Sequence, residues 1–192
     1  PITLTTLVAL LVSAFSASAQ ESRGTALLET LALEPGAPKP DAPLFQRVAP
    51  EQSGVTHVNP IDITHPMTRV YHSSSACGGA AIGDVDLDGK ADLFLISGPR
   101  ANSLNLQRGA LVFEDVAEAA GVDGGDRWGI GGALVDIDND RDLDIYVCNY
   151  DSPNLLYINQ GNARFVESAS AFGLDIVDCS LLPTFCDYDR DG

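Results

Sequence analysis

Apolar and polar positions along the chain fall into short runs, with no sustained helical period. A small-residue apolar run, Gly79-Ala80-Ala81-Ile82-Gly83, leads into an acidic stretch and then the β-rich run Leu93-Phe94-Leu95-Ile96. The same order returns as Gly131-Gly132-Ala133-Leu134-Val135, a second acidic stretch, and Ile145-Tyr146-Val147. Short runs rich in β-branched and aromatic residues predict strands flanking a loop. A second strand is predicted over 102–107 and over 155–159, then a glycine turn and a third strand led by Phe113 or Phe165. A short Ala-rich segment closes each unit at Gly121 or Gly173.

The recurrence has a fixed period. A shift of 52 positions superposes Asp84-Val85-Asp86-Leu87-Asp88 on Asp136-Ile137-Asp138-Asn139-Asp140. It also aligns Asn102 with Asn154, Gly109 with Gly161, Phe113 with Phe165 and Gly121 with Gly173. A third copy opens at Asp187-Tyr188-Asp189-Arg190-Asp191-Gly192, and Phe45-Gln46-Arg47-Val48-Ala49 echoes Phe113-Glu114-Asp115-Val116-Ala117. Three or four strands per unit with a period near 50 describe a propeller blade; paired-helix repeats are shorter and carry a 3.6-residue period. The fold class expected is all-β: a β-propeller fragment of about two and a half to three blades, with cation-binding loops between strands. Stacked sheets in an open arc leave edges that a closed ring would cover, so the fragment is expected to associate in solution.

Upstream of the repeats, the apolar run from Ile2 to Phe15 ends in Ala17-Ser18-Ala19 before Gln20, which fits a secretory segment and its cleavage site over 1–19, without the basic start such a segment carries. A linker over 20–44 follows, Pro-rich from Glu34 to Pro43, and the propeller is expected over 45–192. Both ends of the chain read as cut. Export places the protein outside the cell, in the periplasm or on the cell surface, with no membrane span after cleavage.

Charge sharpens this picture. Of 192 residues, 27 are acidic and 11 basic, a formal charge of -16 that argues against nucleic acid and anionic lipid as partners. Twelve of the 27 acids lie in the three repeated loops, so the acidity is local. In the first loop carboxylates occupy the first, third, fifth and ninth positions (Asp84, Asp86, Asp88, Asp92), with Gly89 at the sharp turn and the Lys90 carbonyl offered at the seventh. The second loop keeps Asp136, Asp138, Asp140 and Asp144, replaces the glycine with Arg141 and adds Asp142. The third begins with Asp187, Asp189 and Asp191. Alternate carboxylates on a curled loop converge into an oxygen cage of the kind calcium takes, whereas magnesium keeps its waters and rarely uses an all-protein cage. An EF-hand needs a Glu at the twelfth position and flanking helices; Leu95 and Val147 stand there and both flanks are strand-like. Arg141 in a left-handed conformation costs on the order of 1 kcal/mol.

The run from Gly131 to Val147, followed by Asn154-Leu155-Leu156-Tyr157-Ile158-Asn159-Gln160-Gly161 and Phe165, resembles the FG-GAP/VCBS repeat of integrin-α-type propellers. More narrowly it is similar to the cartilage-acidic-protein-like family that carries an ASPIC/UnbV domain. The resemblance covers 45–192 and implies a calcium-loaded extracellular or periplasmic propeller of about seven blades, mostly without catalysis. The Gly-Gly lead-in is replaced in the third copy by Ser180-Leu181-Leu182-Pro183, and no ASPIC/UnbV portion follows.

Other chemistry is sparse. Cys77, Cys148, Cys179 and Cys186 allow three complete pairings, of which Cys179 with Cys186 across a hairpin is the nearest in sequence; four small buried hydrophobes is the competing reading. His57, His65 and His72 fit no zinc pattern and read as solvated loop, and Trp128 and Tyr71 read as packing residues. No nucleophile elbow, P-loop or dinucleotide fingerprint occurs. The reading favoured is a non-enzymatic calcium-binding scaffold whose partner is an extracellular protein or glycan. A calcium-dependent polysaccharide-binding or lyase propeller is the alternative, and it lacks an evident base.

Overall fold

Four consecutive hairpin-linked strands make the first sheet: β1 Gly79–Gly83, β2 Asp92–Ile96, β3 Ser103–Gly109 and β4 Val112–Asp115, paired antiparallel in that order. The second repeats the plan with β5 Trp128–Val135, β6 Asp144–Pro153, β7 Leu155–Asn159 and β8 Phe165–Glu167, and adds β9 Val177–Cys179 against β6. This computed structural model describes residues 47–72 and 78–188, all within the unit Gln46–Gly192. The secretory segment over 1–19, the linker over 20–44, Cys77, Asp189 and Asp191 lie outside the described residues.

Alternation along the strands explains how the sheets stack. In β6, Ile145 and Val147 face one way and Tyr146 and Cys148 the other; in β7, Leu155 and Tyr157 oppose Leu156 and Ile158. The first set joins Phe94, Ile96, Leu104 and Leu106 of the first sheet, and Val85 of its first loop, in a shared core. The second set is covered by Ala169, Leu174 and Phe185. The second sheet is therefore buried on both faces, which is why its strands read as continuous apolar runs. Across the described residues the two sheets stack as adjacent blades and do not close into a ring.

The glycine-rich start of each blade is a packing requirement. A Cβ on Gly79 would sit 3.1 Å from the Gly131 Cα, and one on Gly131 would sit 2.3 Å from the Leu181 carbonyl oxygen. First strands of neighbouring blades thus approach backbone to backbone. Ser180-Leu181-Leu182-Pro183 takes up that place beside β5 without forming a strand.

Each blade closes on a four-residue helical turn, Ala117–Ala120 or Ala169–Phe172, capped by a left-handed glycine (Gly121 φ 76°, Gly173 φ 68°). Pro50–Ser53, capped by Gly54 at φ 77°, has the same form and follows directly on the partial fourth copy.

Several sequence expectations are corrected. β5 starts at Trp128, ahead of Gly131, and β6 continues to Pro153 because Tyr150, Ser152 and Pro153 pair with Cys179, Asp178 and Val177. Cys148 is a buried free thiol, while Cys179 and Cys186 are exposed and free, so they form no disulfide. Cys179 is held in β9 against Tyr150 and Cys186 follows Phe185, which is drawn onto Tyr146. His57 and His65 are half-buried, each with a partner the loop reading did not foresee: His57 Nδ1 lies 3.1 Å from the Ser103 hydroxyl, and His65 packs on Trp128 with ring centroids 5.0 Å apart. Trp128, 2% exposed, and Tyr71 are packing residues as expected.

Candidate metal centres in two acidic loops

Both acidic stretches are hairpin connections. Gly83 pairs with Asp92 across the mouth of the first, and Val135 with Asp144 across the second. The ninth-position aspartates therefore open β2 and β6, and both are fully buried.

The two loops share one pattern of hydrogen bonds. The first-position carboxylate folds the loop onto itself: Asp84 accepts the Asp88 and Gly89 amides at 3.0 and 2.8 Å, and Asp136 accepts those of Asp140 and Arg141 at 3.1 Å each. The fifth-position carboxylate accepts the seventh-position amide, Asp88 from Lys90 at 2.9 Å and Asp140 from Asp142 at 3.0 Å. The ninth joins the loop to the sheet. Asp92 accepts from Val85 N at 2.9 Å and Gln107 N at 2.8 Å; Asp144 accepts from Ile137 N at 2.9 Å and Asn159 N at 2.8 Å. Gly89 at φ 83° and Arg141 at φ 80° adopt the same left-handed turn, so the arginine carries the backbone strain its sequence position predicts.

This folding brings one oxygen each of Asp84, Asp86 and Asp88 within 4.8 Å of one another, and likewise for Asp136, Asp138 and Asp144. Both groups offer only hard oxygen donors, the set a divalent cation such as calcium takes. Asp92, expected as a fourth ligand of the first loop, is not part of that trio, and both its oxygens take backbone amides. Asp187 is exposed, at the start of the third copy.

The electrostatics of the two loops differ. In the first, the Lys90 ammonium binds Asp88, and Arg108 reaches Asp86 at 3.2 Å and Glu114 at 2.9 Å. Lys90, expected to lend its carbonyl, thus also turns its side chain onto a candidate ligand, and its hydrogen bond holds the Asp88 carboxyl below the usual range. The second loop has five carboxylates. Asp142 is 7% exposed and its Oδ1 has no hydrogen-bond partner. Burial, and then the facing Asp140, push its carboxyl up to about 6. Burial also raises Asp92 and Asp144. An unpaired buried oxygen among like charges is the condition a bound cation relieves, so the residues of this loop fit such an ion.

Other polar residues of the repeat are structural. Asn102 and Asn154 accept the Ser97 and Asn149 amides at 3.1 and 2.8 Å, closing the hairpin after β2 and β6. Asp115 accepts from Leu104 N and Ala117 N, and Glu167 from Leu156 N and Ala169 N, tying each closing helix to its sheet. The sequence reading missed these last two, whose signal was an acid two residues after the Phe of each third strand.

Acidic hairpin loops repeated on stacked four-stranded blades define a β-propeller repeat protein. The FG-GAP-like repeat matches residues 84–147 and 136–192, and the chain belongs to that family. It is similar to cartilage acidic protein 1 of Homo sapiens, 34% identical over 95 residues, which is 48% of this chain and 14% of that protein. The Mus musculus protein is 33% identical over 95 residues (48% and 15%), and that of Xenopus tropicalis 35% over 89 residues (46% and 14%). The matched stretch spans about a seventh of those relatives' length. Among the described residues no helix is long and apolar enough to cross a membrane.

Proposed function

We propose that this chain is part of an extracellular, non-enzymatic β-propeller scaffold whose acidic loops are locked by calcium and whose partner is a protein or glycan. The observation that carries the reading is the second loop: three converging carboxylates, and beside them the buried, unpartnered Asp142 Oδ1. Calcium supplies charge neutralisation there and holds the hairpin ends in register. The residues named for this are Asp84, Asp86, Asp88 and Asp92, and Asp136, Asp138, Asp140, Asp142 and Asp144. The scaffold reading also draws on the side chains able to act as acids or bases. His57 is engaged by Ser103, Tyr71 by Pro60 and Asp62, and Tyr146 by Leu174 and Asn154.

Thermal melting in calcium, in magnesium and in chelator tests the proposal. Calcium is expected to raise the melting temperature well above both other conditions, and Asp136→Asn with Asp138→Asn to remove much of that rise. Equal melting in calcium and chelator would refute it.

A further inference from the structure

The two acidic loops are joined through one buried side chain. Asn159, at the end of β7, is 0% exposed and lies between the blades. Its Nδ2 donates to the Val85 carbonyl at 2.8 Å and to the Leu143 carbonyl at 3.2 Å. Its backbone amide donates to Asp144 Oδ1 at 2.8 Å, and its Oδ1 accepts from Gly161 N at 3.1 Å. Val85 stands between Asp84 and Asp86 of the first loop, and its own amide goes to Asp92 Oδ2. Leu143 and Asp144 belong to the second loop, where Asp144 Oδ2 takes the Ile137 amide. An unbroken set of hydrogen bonds therefore runs from the ninth-position carboxylate of one loop to that of the other.

The corresponding residue of the first blade is Gln107. It repeats only half of this: its amide donates to Asp92, but its side chain turns back to the Gly109 carbonyl. Among the described residues the link between acidic loops is made by Asn159.

We infer that Asn159 is a positioning residue that couples cation binding in the two loops, so that filling one favours filling the other; this rests on the cation reading proposed above. The physical basis is shared ordering. A cation held by Asp84 and Asp86 fixes the Val85 peptide, and Asn159 passes that constraint to Asp144. The second cation then meets a loop already ordered, which is positive coupling without any change of fold.

Calorimetric calcium titration of four chains measures it: the unaltered chain, one with the first loop disabled (Asp84→Asn, Asp86→Asn), one with the second disabled (Asp136→Asn, Asp138→Asn), and one with both. The product of the two stepwise constants in the unaltered chain, divided by the product of the single-loop constants, is the coupling factor. A value of about 5 or more is expected. The same set carrying Asn159→Ser is expected to give a factor near 1. Asn159→Gln, which keeps the amide but moves it by one methylene, serves where the serine variant does not fold. A factor of 1 or less in the unaltered chain overturns the coupling and leaves the cation reading standing. A factor undiminished by the Asn159 substitutions overturns the role of Asn159. No calcium binding by the unaltered chain overturns the cation reading and the coupling together.

Discussion

Replacing Asp144 with alanine separates a structural role from a metal-binding one. The side chain is fully buried and each carboxylate oxygen takes a backbone amide, Ile137 at 2.9 Å and Asn159 at 2.8 Å. Alanine strands both donors in a water-free site, and each unsatisfied donor costs about 1–3 kcal/mol, so the loss is roughly 2–6 kcal/mol. Against a total stability of about 5–15 kcal/mol, that is a large fraction. Asparagine keeps one acceptor but points an NH2 at the second amide, and is expected to recover only part of the loss. Asp92→Ala should behave in the same way, because its oxygens hold the Val85 and Gln107 amides. Asp138→Ala is the control: exposed, a third-position ligand candidate, and expected to shift stability by less than about 0.5 kcal/mol without metal. The assay is urea unfolding in chelator, where no cation contributes. If Asp144→Ala unfolds within 0.5 kcal/mol of the unaltered chain under those conditions (roughly the effect of a surface change), the ninth-position aspartates are metal ligands only and the reasoning fails.

Three further outcomes follow from the same geometry. In chelator, stability should fall as pH rises from about 4 to about 6, because folded Asp142, pushed up to about 6, keeps a proton that the unfolded chain releases near its ordinary 3.8. Asp142→Asn should flatten that slope in pH-dependent melts, while in the unaltered chain calcium affinity should weaken below about pH 6 as the same group protonates. Lys90→Ala with Arg108→Ala removes the cations that pair with Asp88 and Asp86. With exposed pairs worth about 0.2–1 kcal/mol each, first-loop calcium affinity should rise a few-fold by calorimetry. Arg141→Gly relieves the left-handed strain at φ 80°, offset by the greater freedom of glycine in the unfolded chain, for a net gain of about 0–1 kcal/mol by urea unfolding.

How much was legible before the fold was known depended on where the information lay. The 52-residue repeat, the acidic hairpins, and the strands at Gly79–Gly83 and Leu155–Asn159 were readable because each is a local pattern. The acids of both loops were readable for the same reason, but which three converge in each was not. The extension of β6 to Pro153 was not, since Asn149-Tyr150-Asp151-Ser152-Pro153 has turn composition and becomes strand only through pairing with the start of β5 and with β9. The closing helices are four residues long, too short to show a period. His57 and His65 were read as solvated because their partners, Ser103 and Trp128, are 46 and 63 positions away. The double duty of Asp92 and Asp144, and the bridge made by Asn159, depend on contacts between strands and between blades that spacing alone does not report.

The most direct measurement of the central claim is the number of calcium ions the chain binds, read by calorimetric titration. Two sites, reduced to one when either Asp84 and Asp86 or Asp136 and Asp138 are changed to asparagine, are the expected result. No saturable calcium binding, or binding that both paired substitutions leave intact, would show that these loops are solvated acidic hairpins and would contradict the account.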